Sequence, residues 1–235
     1  MQTLEQDVKV VFDLLGEMFD RVDEQLADAV NALFGSDARL AQRVRETDRK
    51  VDALELKIDR GCAYILESFH PEATALRKII AAMRINADLE RIGDLCKNVA
   101  KKVVFLEQST LWRSQTHIID MADAVRTIVR EAREAFIQQD RLKARQVLAY
   151  DRRVDRAYRE VIEAIIALCH THPAEAEALV HLVTTGKALE RIADHAKSIV
   201  RSVVFFIEGV DIRHQKVQRA AEDSTLNWSQ SAPSS

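Results

Sequence analysis

The sequence predicts an all-α protein: two tandem three-helix bundles produced by an internal duplication, six long helices in all. Three observations carry this prediction. Of 235 residues only 6 are Gly and 3 are Pro, although 47% are hydrophobic. Nine breakers cannot supply the turn that an all-β chain needs roughly every 8–12 residues. The breakers that do occur divide the chain into two sets of three long stretches, and motifs recur between the sets at a nearly fixed offset.

The stretches follow in order. The first runs from about Leu4 to Phe34 and stops at Gly35-Ser36-Asp37. The second spans Ala38 to Phe69. His70-Pro71 follows, with proline pre-setting the start of a third stretch that reaches Glu107. Ser109-Thr110 marks the seam. A fourth stretch covers Leu111 to Gln139, and Asp140 is suited to cap a fifth that ends near His170. His172-Pro173 then opens a sixth, which runs to Glu208 before Gly209. The expected organisation is a first repeat over 1–108, a second over 109–210, and a polar, disordered tail over 211–235.

Composition excludes several function classes. The 34 basic residues are interspersed with 37 acidic ones for a net charge of −3, so no clustered basic footprint for nucleic acid is present. The apolar run Val203-Val204-Phe205-Phe206-Ile207 falls far short of the ~18 residues a membrane span requires. Gly186-Lys187 is followed by Ala188 where a phosphate-binding P-loop needs Ser or Thr. The polar start Met-Gln-Thr-Leu-Glu-Gln-Asp does not resemble a signal peptide. Cys62, Cys96 and Cys169 are odd in number and widely spaced, which predicts buried free thiols in a reducing cytoplasm.

The third and sixth stretches define the repeat. Leu89-Glu90-Arg91-Ile92-Gly93-Asp94 answers to Leu189-Glu190-Arg191-Ile192-Ala193-Asp194 at an offset of 100. Asp48-Arg49-Lys50-Val51-Asp52 answers to Asp151-Arg152-Arg153-Val154-Asp155 at an offset of 103. The chain holds eight acidic pairs at i,i+4, close to what chance gives, and Glu55/Asp59 reads as one of several solvated faces. Recurrence is the signal. Asp48/Asp52, Glu90/Asp94, Asp151/Asp155 and Glu190/Asp194 occupy matched positions of both repeats. Carboxylates one turn apart repel by a few tenths of a kcal/mol, so a drifting duplication loses such pairs unless something offsets the repulsion.

Helical hairpins bring these pairs level. The pairs centred on 50 and 92 have their midpoint at Pro71, and those centred on 153 and 192 between His172 and Pro173. Each level lies about 20 residues, or ~30 Å, from its turn. Four carboxylates per level suit a hard or borderline cation such as Mg, Mn, Ca or Fe. A surface salt-bridge lattice is the other reading. Lys97 and Lys101 share a side with Glu90 and Asp94, Lys197 and Arg201 do the same in the sixth stretch, and Arg49, Lys50, Arg152 and Arg153 flank the remaining pairs.

These motifs, each late in a three-helix repeat and paired with D-x-x-x-D one helix earlier, resemble the PhoU family of accessory proteins of phosphate-specific transport. The resemblance covers roughly residues 4–209. It implies two three-helix bundles, a cytoplasmic location and a regulatory rather than catalytic role: repression of the phosphate-starvation response. The implied partners are the sensor histidine kinase of a two-component system, the ATPase of the ABC phosphate importer, and a second copy in a homodimer. Membrane contact is implied only through those partners. It also implies metal ions (Fe, Zn, Mn or Mg) on Asp48, Asp52, Glu90, Asp94, Asp151, Asp155, Glu190 and Asp194. Where the family commonly shows G-D-H-A-x-N, the first repeat keeps Gly93 and Asn98 but has Leu95, and the second has His195 but Ala193 and Ser198.

Two alternatives stand beside this reading. A metal-free helical adaptor with a salt-bridge lattice is one. A di-metal carboxylate oxidase is the other, but it needs two E-x-x-H motifs and only Glu67-Ser68-Phe69-His70 fits. His195 points about 100° from Asp194 on an ideal helix and reads as a supporting group. Cys96 and Cys169 read as core, and Val103–Leu106 and Val203–Ile207 as bundle ends that become docking surfaces wherever they are exposed.

Overall fold

Thr3 starts the first helix. Its hydroxyl accepts from Gln6 N at 3.3 Å while the Gln6 side chain accepts from Thr3 N at 2.9 Å, a reciprocal capping box. The structure, a computed structural model, describes residues 3–107, 109, 112, 117–149 and 151–213, without the side chains of 149, 151 and 152. Among these residues there is no strand, and six helices are 21 to 33 residues long.

Helix α1 (Leu4–Gly35) ends with Ser36 in the left-handed region, and Asp37 caps α2 (Ala38–Phe69) by accepting from Arg39 N and Leu40 N. His70 turns left-handed to end α2. Helix α3 (Ala73–Ala100) returns antiparallel, and a short α4 (Val103–Leu106) follows it. The second repeat comprises α5 (Ile118–Gln138), α6 (Arg141–Ala149), α7 (Asp151–Thr171) and α8 (Ala176–Glu208), with a 3₁₀ turn at Pro173–Glu175 between the last two. Asp140 caps α6 as its position predicts, accepting from Leu142 N and Lys143 N at 2.8 and 3.1 Å. Gly209 closes α8 with φ +74°.

Three expectations change. The fifth stretch, read as one helix, is described as α6 and α7, with residue 150 outside the described residues. The third ends at Ala100, and α4 covers only Val103–Leu106. Cys62 and Cys96 are buried as expected, but Cys169, one turn beyond buried Ile165 and in the last turn of α7, is exposed. Part of the expected fourth stretch and the tail from 214 onward lie outside the described residues.

The buried stripes explain the packing. On α2, Ala41, Val44, Thr47, Val51, Leu54, Ile58, Cys62 and Ile65 recur every three to four residues and face α1 and α3. In the second repeat α5, α6 and α7 pack on α8. The two bundles meet along α3 and α8, with α1 against α5, and their buried residues form one continuous core. An aromatic cluster locks the junction. Phe136 stacks on Phe12 at 5.4 Å and lies 5.2 Å from Phe19, and Phe206 meets Phe12 edge-on at 5.4 Å. Arg133 also pairs with Asp20 across the junction at 2.6 Å. No described helix is long and apolar enough to cross a membrane.

Phe136→Ala is expected to lower stability by about 3–4 kcal/mol while unfolding stays a single transition. Urea denaturation followed by circular dichroism measures this. Two separate transitions in the unsubstituted protein would show that the bundles fold independently.

Candidate functional site

The hairpin geometry places the first-repeat acids together. Asp48 occupies a position in the buried stripe of α2 and is only 6% exposed, so its charge needs compensation inside the fold. Lys97 of α3 supplies it. Its Nζ lies 2.5 Å from Asp48 Oδ2 and 2.8 Å from Asp94 Oδ1, tying the two helices together through one ammonium. Arg91 lies 3.3 Å from Glu90 and 3.5 Å from Asp94 on the outer side.

A third helix completes the site. Gln25 of α1 is fully buried, and its amide nitrogen reaches Asp48 Oδ1 and Gly93 O at 3.2 Å and Val44 O at 3.3 Å. Gly93 makes this approach possible, because a Cβ there would stand 3.0 Å from Gln25 Oε1. Gln25 Oε1 has no hydrogen-bond partner among the described residues. Further along the face, Asn86 donates to Asp59 Oδ1 at 2.9 Å and to the Glu55 carbonyl at 3.1 Å. Glu55 belongs to the same acidic face rather than to a separate solvated one. Burial, then Asp59, Asp52 and Asp94, push its carboxyl above the usual range.

The electrostatics show surplus negative charge. Burial, followed by Asp48, raises the Asp52 carboxyl, and burial, followed by Asp94, raises that of Glu90. Asp94 is held low by its hydrogen bond to Lys97. Burial pulls the Lys97 ammonium down, but its bonds to Asp48 and Asp94 outweigh burial and hold it above its ordinary value. Oxygen-only donors with uncompensated charge fit a hard cation in kind. The same acids do not converge on one point: among the described residues no three acid, His or Cys side chains are grouped to hold a metal ion. Lys97 stands between the carboxylates instead.

The second repeat preserves part of this arrangement. Lys197, only 7% exposed, pairs with Asp194 at 2.6 Å as Lys97 does with Asp94, and Lys187 pairs with Glu190. Asp155 and Asp194 are exposed, and the side chain of Asp151 lies outside the described residues. At the repeat offsets, Glu55 and Asn86 are replaced by Tyr158 and Gly186. The two changes fit each other, because a Cβ on residue 186 would meet the Tyr158 ring at 3.1 Å. His195 is not turned toward the acids of α8. Its Nδ1 lies 2.9 Å from Asp88 Oδ1 across the bundle junction.

Sequence reasoning missed Gln25, Glu55 and Asn86 as parts of the site. Gln25 and Asn86 were detectable as polar residues placed in otherwise apolar stripes, as was Asp48. A cleft of about 940 Å³ runs between α1, the start of α3 and α5 past Val8, Phe12 and Phe136, away from both acidic faces.

Fold and site together define a class: duplicated all-helical bundles that carry level acidic pairs on the second and last helices of each repeat. The family follows from comparison with known proteins. The PhoU domain matches residues 15–103 and again 118–203, one match in each bundle, and the chain belongs to the PhoU family. A phosphate-specific transport system accessory protein PhoU homologue of Pseudomonas aeruginosa is 35% identical over 207 residues, spanning 88% of this chain and 86% of the relative. The homologue of Aquifex aeolicus is 30% identical over 206 residues, spanning 88% and 93%. The crystal structure of PhoU from Pseudomonas aeruginosa superposes with a TM-score of 0.85 at 33% identity, covering 88% of this chain and all of that one. The PhoU structure from Streptococcus pneumoniae, at 23% identity and a TM-score of 0.82 over 90% of this chain and all of that one, shares the fold.

Lys97→Met tests the clamp. Raised carboxyls such as Asp52 and Glu90 keep protons in the folded state that the unfolded chain has released. Stability therefore falls as pH rises from about 4 through their elevated values. Asp94 acts oppositely: its contribution is present above about pH 4 and is lost as pH falls through its depressed value. Removing the ammonium is expected to cost about 2 kcal/mol at neutral pH and to steepen the fall with rising pH. Urea midpoints at about pH 4.5, 5.5 and 7 measure this; curves that stay parallel for the two proteins would show that Lys97 compensates no buried charge.

Proposed function

We propose that this chain is an accessory regulator of phosphate uptake that acts by protein contacts rather than by turnover. The observation that carries the reading is the pair of PhoU domain matches, which together span both bundles and include all four recurring acidic pairs. Two relatives named for phosphate-specific transport cover nearly the whole bundle region, which supports the same role. The finer reading is negative regulation of the phosphate-starvation two-component response. In it the chain, as a homodimer in the cytoplasm, links the sensor histidine kinase to the ATPase of the phosphate importer.

In this reading a divalent or trivalent cation is held by Asp48, Asp52, Glu90 and Asp94, and a second by Asp151, Asp155, Glu190 and Asp194. The ion supplies positive charge that the raised Asp52 lacks and that Glu90 receives only from Arg91. Lys97 and Lys197 are the groups that must give way. Their ion pairs favour a second reading as well, a metal-free adaptor in which the two lysines are the permanent counter-charges.

Two experiments separate these readings. Deleting the gene is expected to switch on phosphate-starvation genes in phosphate-rich medium; unchanged reporter output would remove the regulatory reading. Elemental analysis of repleted protein is expected to find about one metal ion per chain or more, with Asp94→Ala and Asp194→Ala each lowering the content. Content well below one ion, unchanged by the substitutions, would establish the adaptor reading.

A further inference from the structure

The repeat relation pairs α3 and α8 by an approximate two-fold, and the two sides of that pairing are filled differently. On one side Asp88 bonds His195, and Asp211, held by Arg213 at 2.5 Å, reaches Arg84 at 3.5 Å. That side carries its own acids, Asp88 and Asp211. An offset of 100 residues carries Asp88 to Ala188 and His195 to Leu95. Ala188 and Leu95 both line a groove of about 310 Å³ on the other side. The small apolar pair leaves open the space that the Asp88–His195 bridge fills.

Cations surround this groove. Lys101, Lys102, Lys187 and Arg191 line it, and no acidic residue does. Among the described residues Lys101, Lys102 and Arg191 make no ion pair, and Lys187 shares its charge with Glu190. Lys101 and Lys102 follow the last turn of α3, where the helix dipole by itself accounts for cations. Lys187 and Arg191 lie inside α8, where no helix end accounts for them. Asn98 adds an amide and Thr184 a hydroxyl to the rim.

We propose that this groove between α3 and α8 is an anion site for a small phosphate oligoanion, bound by Lys101, Lys102, Lys187 and Arg191 over a floor of Leu95 and Ala188. Cationic side chains with neutral donors match phosphoryl oxygens. The three charges of Lys101, Lys102 and Arg191, unpaired among the described residues and beside the Lys187–Glu190 pair, exceed what one monophosphate neutralises. The groove is small and the chain around it is net acidic, which favours a compact anion over an extended nucleic acid. The same phosphoryl chemistry is offered by a lipid headgroup. Val104 and Phe105, 66% and 47% exposed, stand beside Lys101 and Lys102, so a membrane surface is the source to be distinguished.

Calorimetric titration of the full chain with phosphate, pyrophosphate and tripolyphosphate tests the site, with sulfate as control and anionic phosphatidylglycerol vesicles in a separate flotation assay. Saturable binding that tightens with the number of phosphoryl groups is expected. Lys102→Glu with Arg191→Glu is expected to weaken it by at least about tenfold, while Lys9→Glu with Lys50→Glu leaves it unchanged. Thermal melts of all variants confirm that they are folded. Absence of saturable binding, sulfate binding as tight as tripolyphosphate, or equal loss in the control variant would overturn the site. Vesicle binding without soluble-anion binding would overturn it as well and assign the patch to a membrane. Binding to purified protein is independent of the reporter output that tests the regulatory reading, so either can fail alone.

Discussion

The two three-helix units share one core because the last helix of each lies along the other, and the rest of this molecule is arranged around that packing of α3 on α8. Beside that packing, Phe12 and Phe19 of α1, Phe136 of α5 and Phe206 of α8 form one aromatic cluster to which both bundles contribute rings. The packing also fixes which faces of α3 and α8 remain outward. In the first repeat Asp94 turns toward α2, where Lys97 joins it to Asp48, while Asp88 and His195 turn into the junction.

Within each bundle a different constraint applies, because an acidic residue placed in an apolar stripe must find a counter-charge before the helices can close. Asp48 meets this requirement through Lys97 and Gln25, which come from two other helices. The cost of its burial is thereby shared among three elements, and the surplus charge on Asp52, Glu55 and Glu90 is left near the surface, where a cation can reach it. The site is thus made of an inner layer in which Asp48 has its counter-charge and an outer layer in which acids outnumber cations.

Much of this was legible in the sequence because it depends on spacing along one chain. Sparse breakers gave the helix ends, Asp140 and Gly209 acted as the caps their residue types suggest, and equidistance from Pro71 brought Asp48 and Asp94 to one ammonium. What could not be read depends on how separate helices rotate about their axes. The reach of Lys97 to Asp48, rather than only to its neighbour Asp94, is decided when α2 and α3 dock. The approach of Gln25 depends on the absence of a side chain at Gly93, 68 residues away. Cys169 has apolar neighbours and lies one turn beyond buried Ile165, but it falls in the last turn of α7 and is exposed, which periodicity along one helix does not resolve.

The exchange of Glu55 and Asn86 for Tyr158 and Gly186 shows what a covalent duplication permits. In a symmetric dimer of single bundles every substitution is written twice, so a ring that fills one site fills the other too. A tandem chain removes that bond between copies. One half can exchange carboxylate and amide for an aromatic wedge while the other keeps its acidic ladder, and a single molecule then presents two unlike faces from one ancestral design.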